Sequence, residues 1–201
     1  MMKKRAVFLD RDGTINRDVG YPNSYDMVEI FPYSFAAVQA INENGFLSII
    51  VTNQSGIGRG YIEEKNLREI HRRLRIDFAE HGATIDGIYY CPHYENSDIP
   101  EYRKACFCRK PNPGMAHQAA RDFHIDTAES YMIGDKVEDI LFGMKIRATS
   151  ILVLTGFGKK SISKLKERGA EPAFVAKTLK EAVEWIIQRE KESLAQKRDV
   201  R

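Results

Sequence analysis

Two aspartates, Asp10 and Asp12, stand with a single residue between them in FLDRDGTIN, directly after the short apolar run Ala6 to Leu9. Two anions at that spacing repel unless something binds between them. In an extended chain, residues i and i+2 project to the same side, so the pair can share one target. A calcium loop fails on spacing, because that pattern wants glycine at its sixth position and Gly13 is here the fourth. Magnesium suits the pair better: it takes one or two carboxylates and completes its shell with water and phosphate oxygens. Asp135, which follows another apolar run, offers a further carboxylate.

The residues for an anionic partner are equally legible. Thr52 and Asn53 offer a hydroxyl and an amide, and SGIGRG (Ser55 to Gly60) offers backbone N–H groups ahead of a helix. This is no dinucleotide fingerprint, since after Gly56 and Gly58 the third glycine would be residue 61, which is Tyr61. No Walker motif occurs. Lys110, held extended by Pro111, supplies a point positive charge ahead of a helix. A phosphate, its Mg²⁺ and this lysine together would balance the carboxylates.

A second metal is written in the cysteines. Cys91-Pro92-His93 and Cys106-Phe107-Cys108 supply four ligands in two close pairs, with residues 94 to 105 looping between them. Three thiolates and an imidazole make a closed tetrahedral set with no position left open, which points to structural Zn²⁺. Its expected task is to fix the loop that delivers Arg109 and Lys110.

The elements that must position these groups alternate. Ala6 to Leu9, Leu47 to Val51, Tyr131 to Ile133 and Ile151 to Leu154 read as buried strands, with weaker ones at Gly87 to Tyr90 and Ala173 to Ala176. Phe35, Val38 and Ile41 mark a helix ending at Gly45, and Leu67, Ile70, Leu74 and Phe78 a longer one ending near Gly82. Asn112 and Pro113 read as the N-cap and first turn of a helix through Phe123. Val137 to Met144 and Leu179 to Ile187 complete the set, with Trp185 a core contact of the last helix. This alternation predicts an α/β fold: an open, mostly parallel sheet with helices on both faces. Asp10, Thr52 and Asp135 all follow strands, and ligands of open parallel sheets bind outside the strands' carboxyl ends.

Composition bounds the reading. The chain has 201 residues, 43% hydrophobic and 29% charged, which fits one soluble domain. We expect residues 1–187 to form it, including the zinc loop 91–108, with 188–201 a charged tail that reads as a solvated helix end. The net charge of +3 is too small to argue for nucleic acid. The basic start is not followed by a signal-peptide core, and no run approaches the ~18 apolar residues of a membrane span. Clustered cysteines in odd number suit a reducing compartment. These features predict a cytoplasmic protein without a membrane partner, and no exposed heptad or apolar stripe argues against a monomer. His71, His81, His117 and His124 lack ligand partners at metal spacing and read as surface or partly packed residues.

Taken together, Asp10-Arg11-Asp12-Gly13-Thr14, Thr52 after a strand, Lys110, and Gly134-Asp135-Lys136-Val137-Glu138-Asp139 resemble the four motifs of the haloacid dehalogenase superfamily of phosphotransferases. The resemblance implies a Rossmann-like fold, with Asp10 the nucleophile that takes the phosphoryl group and Asp12 the general acid and base. It implies that Thr52 and Lys110 hold the phosphoryl oxygens. Asp10, the backbone carbonyl of Asp12, and Asp135 would hold Mg²⁺, with Asp139 orienting its neighbours. Nothing between the motifs is long enough for a large cap domain, which agrees with a small soluble substrate.

Within the superfamily, the zinc loop together with TNQSGIGRGY resembles the D-glycero-D-manno-heptose 1,7-bisphosphate 7-phosphatases of bacterial heptose biosynthesis, which supplies lipopolysaccharide or S-layer glycan precursors. That family implies substrate contacts from Asp18, Val19, Gly20 and Tyr21, from Thr52, Asn53, Gln54 and Ser55, and from Arg109, Lys110 and Lys136. A guanidinium or ammonium suits the second phosphate of a sugar bisphosphate. Histidinol-phosphate phosphatase, with a shorter zinc loop, and a broad sugar phosphatase are the enzyme alternatives. A zinc-bearing nucleic-acid module built on Tyr102 to Lys110 would need a stronger charge bias and would leave three aspartates repelling its partner.

Overall fold

The computed structural model describes residues 3–199. The chain runs β1 (Ala6–Leu9), α1 (Ser34–Glu43), β2 (Leu47–Asn53), α2 (Glu64–Glu80), β3 (Gly87–Cys91), α3 (Gly114–Phe123), β4 (Tyr131–Gly134), α4 (Val137–Lys145), β5 (Thr149–Val153), α5 (Gly158–Glu167), β6 (Phe174–Ala176) and α6 (Leu179–Asp199). The strands form one sheet in the order β3-β2-β1-β4-β5-β6, and every neighbouring pair is parallel. The expected sheet is therefore present, wholly parallel among the described residues.

Strand periodicity decides what covers each face. Val7 and Leu9 point to one side, where α1, α2 and α6 bring Val38, Ile41, Leu74, Phe78, Val183 and Ile186. Ala6 and Phe8 point to the other, against Met115, Ala116 and Ala119 of α3 and Phe142 of α4. Phe8 and Phe142 meet edge to face at 6.4 Å. Both faces are sealed, which is why the strands read as continuous apolar runs rather than alternating ones. Trp185 stacks on Phe174 at 5.1 Å, the expected contact of the last helix.

Register then sets the site. Leu9 lies opposite Ile50 on one side and Ile133 on the other. One step further along, Asp10 donates its backbone N–H to Ile133 O at 2.9 Å. Asp10 and Asp135, which follow β1 and β4, thus emerge beside the last residues of β2 at the carboxyl edge.

Three expectations are corrected, and one helix, α5, is added to the expected set. Asn112 does not cap α3: Pro113 holds the cap position, and the Asn112 amide donates to Cys106 O at 2.9 Å, bracing the zinc loop. α5 gives little sign of itself in the sequence because its buried face consists of Gly158, Ser161 and Leu165, of which only the last carries a hydrophobic signal. β2 continues through Thr52 and Asn53 rather than ending at Val51, because β3 runs alongside and pairs with both. The last helix does not stop at Ile187 but runs to Asp199. Glu190 on that extension ties it to the sheet, accepting from Arg5 at 2.5 Å and from the Tyr131 hydroxyl at 2.6 Å. Residues 200 and 201 of the expected tail lie outside the described residues.

Candidate active site

Lys110 is the centre of the site. It is buried, and its ammonium reaches Asp10 Oδ1 at 2.8 Å, Asp139 Oδ1 at 2.6 Å and the carbonyl of Val51 at 2.7 Å. Burial alone would depress its pKa; Asp10 and Asp139 outweigh that and hold it above the ordinary lysine value. Its backbone is gripped by Asn53, whose side chain accepts from Lys110 N at 2.9 Å and donates to Lys110 O at 3.1 Å. The end of β2 therefore fixes a lysine that arrives from the far end of the zinc loop.

Asp10, Asp135 and Asp139 bring a carboxylate oxygen each within 4.8 Å of one another, all buried. Asp135 Oδ2 accepts from Phe157 N at 2.7 Å, while its Oδ1 is buried with no partner. Burial, then the Asp10 charge, pushes Asp135 up to about 8, and burial pushes Asp139 up to about 6 against the pull of Lys110. An orphaned carboxylate oxygen, hard oxygen donors and more anions than lysine can balance fit a divalent cation such as Mg²⁺. Two glycines let the chain close on Asp135: a Cβ on Gly13, at φ +91°, would sit 2.4 Å from Asp135 Oδ2, and one on Gly156 would sit 2.2 Å from the same atom. Only glycine accepts both the positive φ and that approach.

Asp12 shares the cleft with Asp10 but has its own set of partners. The chain turns after β1, with the N–H groups of Thr14, Ile15 and Asn16 all directed at Arg11 O. The Asp12 carboxylate instead accepts from Arg11 Nε at 3.0 Å, from Arg11 Nη2 at 2.9 and 2.8 Å, from Asn16 at 3.0 Å and from Gln54 at 2.9 Å. Burial would raise its pKa, but the Arg11 charge and these bonds hold it below the usual carboxylate range. Gln54 is buried, and its amide also donates to Thr52 Oγ1 at 2.9 Å, so among the described contacts it serves its neighbours rather than the open cleft.

The cleft above these groups has a volume of about 550 Å³, and Asp10, Asp12, Thr52, Arg109, Lys110 and Lys136 line it, with Asn53 and Ser55 at its wall. Lys136 lies 3.2 Å from Asp18 Oδ2, so the segment of Asp18, Val19, Gly20 and Tyr21 adjoins one lining residue while none of its four residues lines the cleft itself. Tyr21 packs on Gly56 and stands 4.8 Å from the Tyr61 ring. Arg109 donates to His93 O at 3.3 Å, fixing the stem of the zinc loop.

The four predicted zinc ligands meet. Cys91, Cys106 and Cys108 Sγ and His93 Nδ1 lie 3.1 to 3.6 Å apart in the pairs that touch. The hydrogen bond between the free thiols of Cys91 and Cys108 pulls Cys108 down to about 5 and pushes Cys91 up. Three soft sulfurs and one imidazole nitrogen at that separation fit one ion at the ~2.0–2.3 Å ligand distances of zinc.

Two residues of the site escape a reading of the sequence. Arg11 is completely buried, and His71, expected at the surface or partly packed, is buried beside it, with Nε2 3.2 Å from Arg11 Nη1. The signal exists: His71 stands four residues after Leu67 and three before Leu74, on the apolar stripe of α2. Burial, then the Arg11 charge, lowers the His71 pKa to about 3. A histidine depressed below its unfolded value of about 6.5 takes up protons on unfolding, so its contribution to stability is present above that value and falls as pH drops towards 3. Denaturant titrations should therefore show about 2 kcal/mol less stability at pH 5 than at pH 8 from this residue, and His71→Gln should remove that increment.

Known proteins resemble this chain over most of its length. The family model for HAD-hydrolase-like proteins matches residues 107–182. The D-glycero-beta-D-manno-heptose-1,7-bisphosphate 7-phosphatase of Pasteurella multocida is 43% identical over 184 residues, covering 88% of this chain and 99% of its own. The protein of the same name from Escherichia coli K12 is 43% identical over 152 residues, 75% of this chain and 80% of its own. Among solved structures, D,D-heptose 1,7-bisphosphate phosphatase from B. bronchiseptica, complexed with magnesium and phosphate, superposes with a TM-score of 0.80 at 30% identity, covering 92% of this chain and 99% of its own.

Proposed function

Since this chain belongs to the haloacid dehalogenase-like family of D-glycero-beta-D-manno-heptose-1,7-bisphosphate 7-phosphatases, we propose that it removes the 7-phosphate of that sugar bisphosphate. The observation that carries the reading is Lys110, bridging Asp10 and Asp139 at 2.8 and 2.6 Å beside the unpartnered Asp135 oxygen. That is a cradle for an anion and a cation together. The B. bronchiseptica phosphatase, whose complex contains magnesium and phosphate, supports the same pairing.

In the proposed mechanism, an Asp10 carboxylate oxygen attacks phosphorus and the bond from phosphorus to the sugar's 7-oxygen breaks, leaving an aspartyl-phosphate. Asp12 gives its proton to the departing alkoxide. The clamp on Asp12 favours its anion in the free site, so the proton it gives is one it takes up from solvent as the negatively charged phosphate enters. Asp12 then takes a proton from water, whose oxygen attacks the same phosphorus and releases Asp10 and inorganic phosphate. Thr52 and Lys110 hold the phosphoryl oxygens throughout. Mg²⁺, held by Asp10, the backbone carbonyl of Asp12 and Asp135, would supply neutralisation of the charge on those oxygens. Arg109 and Lys136 receive the second phosphate, and the segment 18–21 screens the sugar. Zinc at Cys91, His93, Cys106 and Cys108 is structural.

Phosphate release in the presence of Mg²⁺ tests the reading across both anomers of heptose 1,7-bisphosphate, fructose 1,6-bisphosphate and histidinol phosphate. The β-heptose is expected to be hydrolysed with the highest kcat/KM. Preference for histidinol phosphate would overturn the substrate, and no release from any would overturn the activity.

A further inference from the structure

We propose that His71, on α2, is a positioning residue for the phosphoryl transfer: it holds the Arg11 guanidinium in the orientation from which Arg11 aligns the Asp12 carboxylate. This role rests on the phosphatase reading above, and His71 itself touches no group that reacts.

Arg11 spends three of its hydrogen bonds on Asp12, and the remaining nitrogen, Nη1, lies 3.2 Å from His71 Nε2. A guanidinium can only donate, so His71 Nε2 must be the unprotonated acceptor and its proton must sit on Nδ1. Burial keeps the ring in that neutral form. The ring is itself held: Tyr90 of β3 meets it edge-on at 5.6 Å, and the Tyr90 hydroxyl is tied to Glu64 at the start of α2 by a 2.6 Å bond. A rigid path therefore runs from the α2–β3 layer through His71 and Arg11 to the proposed acid and base. With no acceptor at Nη1, a buried N–H would be unmet and the guanidinium would turn to satisfy it. Asp12 would then lose three of its five bonds in their present alignment, leaving Asn16 and Gln54. Small misplacements of a proton donor are costly because proton transfer needs a near-attack geometry.

The test exploits the leaving group. A sugar alkoxide needs a proton to depart, whereas 4-nitrophenolate leaves without one, so kcat/KM for the aryl ester is insensitive to the placement of Asp12. His71→Leu is expected to lower kcat/KM for the best sugar phosphate of the panel about 10- to 100-fold, and for 4-nitrophenyl phosphate about tenfold less than that. His71→Gln, whose side-chain carbonyl can accept from Nη1, should recover most of the loss. Should His71→Leu not fold, His71→Met fills similar space with a flexible chain and carries the same comparison. Equal losses on both esters, an unchanged or raised rate on the sugar phosphate, or no recovery by glutamine would overturn the role while leaving the phosphatase reading intact. A wild-type protein that cleaves neither ester would overturn both.

Discussion

Asp10→Asn is expected to lower phosphate release by about 10⁴-fold or more while the protein remains folded. The amide matches the carboxylate in shape but cannot form the aspartyl-phosphate. Lys110 keeps two of its three partners, Asp139 at 2.6 Å and Val51 O at 2.7 Å, so the buried ammonium is not stranded. The substitution also removes an anion that pushes Asp135 up. Thermal stability in the absence of metal should therefore hold or rise, the pattern of a site whose function costs stability. Phosphate release and thermal denaturation on the same preparation check both halves. Turnover comparable to wild type would sink the nucleophile assignment, whatever the stability.

The second large effect is expected from the proposed zinc. Stripping the ion with a chelator, or replacing Cys108 by serine, is expected to cost on the order of 5 kcal/mol and to abolish activity with it. The segment between Cys91 and Cys108 contributes little to the core: its one wholly buried residue is Ser97, whose hydroxyl donates to Gly58 O. The four-ligand cluster closes the base of the loop, which the bonds of Tyr102 to Glu64 and Asn112 to Cys106 O also hold, and Lys110 lies two residues beyond its last ligand. Without the cluster, Asn53 alone anchors the lysine backbone. Metal content, a melting curve and phosphate release measured before and after chelation should fall together. A chelated protein that kept its melting temperature would rule out a structural ion.

Much of this is readable in the sequence where chemistry and burial coincide. AVFL before Asp10 has to be a buried strand because nothing in it is polar, and cysteines paired across a polar loop have few other uses. The reading runs out where a residue's role depends on its partners or on small side chains. The i, i+2 rule puts Asp10 and Asp12 in one cleft, and both line it, but the spacing does not reveal that Arg11, Asn16 and Gln54 hold Asp12 while Lys110 holds Asp10. α5 hides its inner face in a glycine and a serine. His71 escapes because a lone polar residue on an apolar stripe gives no sign of its partner, which is a buried arginine distant in sequence. Asp139 reads as an orienting residue, and the structure adds it to the carboxylate cluster as a direct partner of Lys110.

The strand order has a consequence for synthesis. Because β1 lies at the middle of the sheet, with β2 on one side and β4 on the other, the site is divided between chain halves made at different times. Asp10 and Thr52 emerge early, but Asp135 follows Asp10 by 125 residues (135 − 10). At about 5–20 residues per second, that is a delay on the order of ten seconds. During that interval the nascent chain carries a strand with one edge unpaired, and the proposed nucleophile lacks Asp135 and Asp139. A fragment of that length is expected to be inert towards phosphate esters, and its open β1 edge is the surface a chaperone would have to guard until β4 arrives.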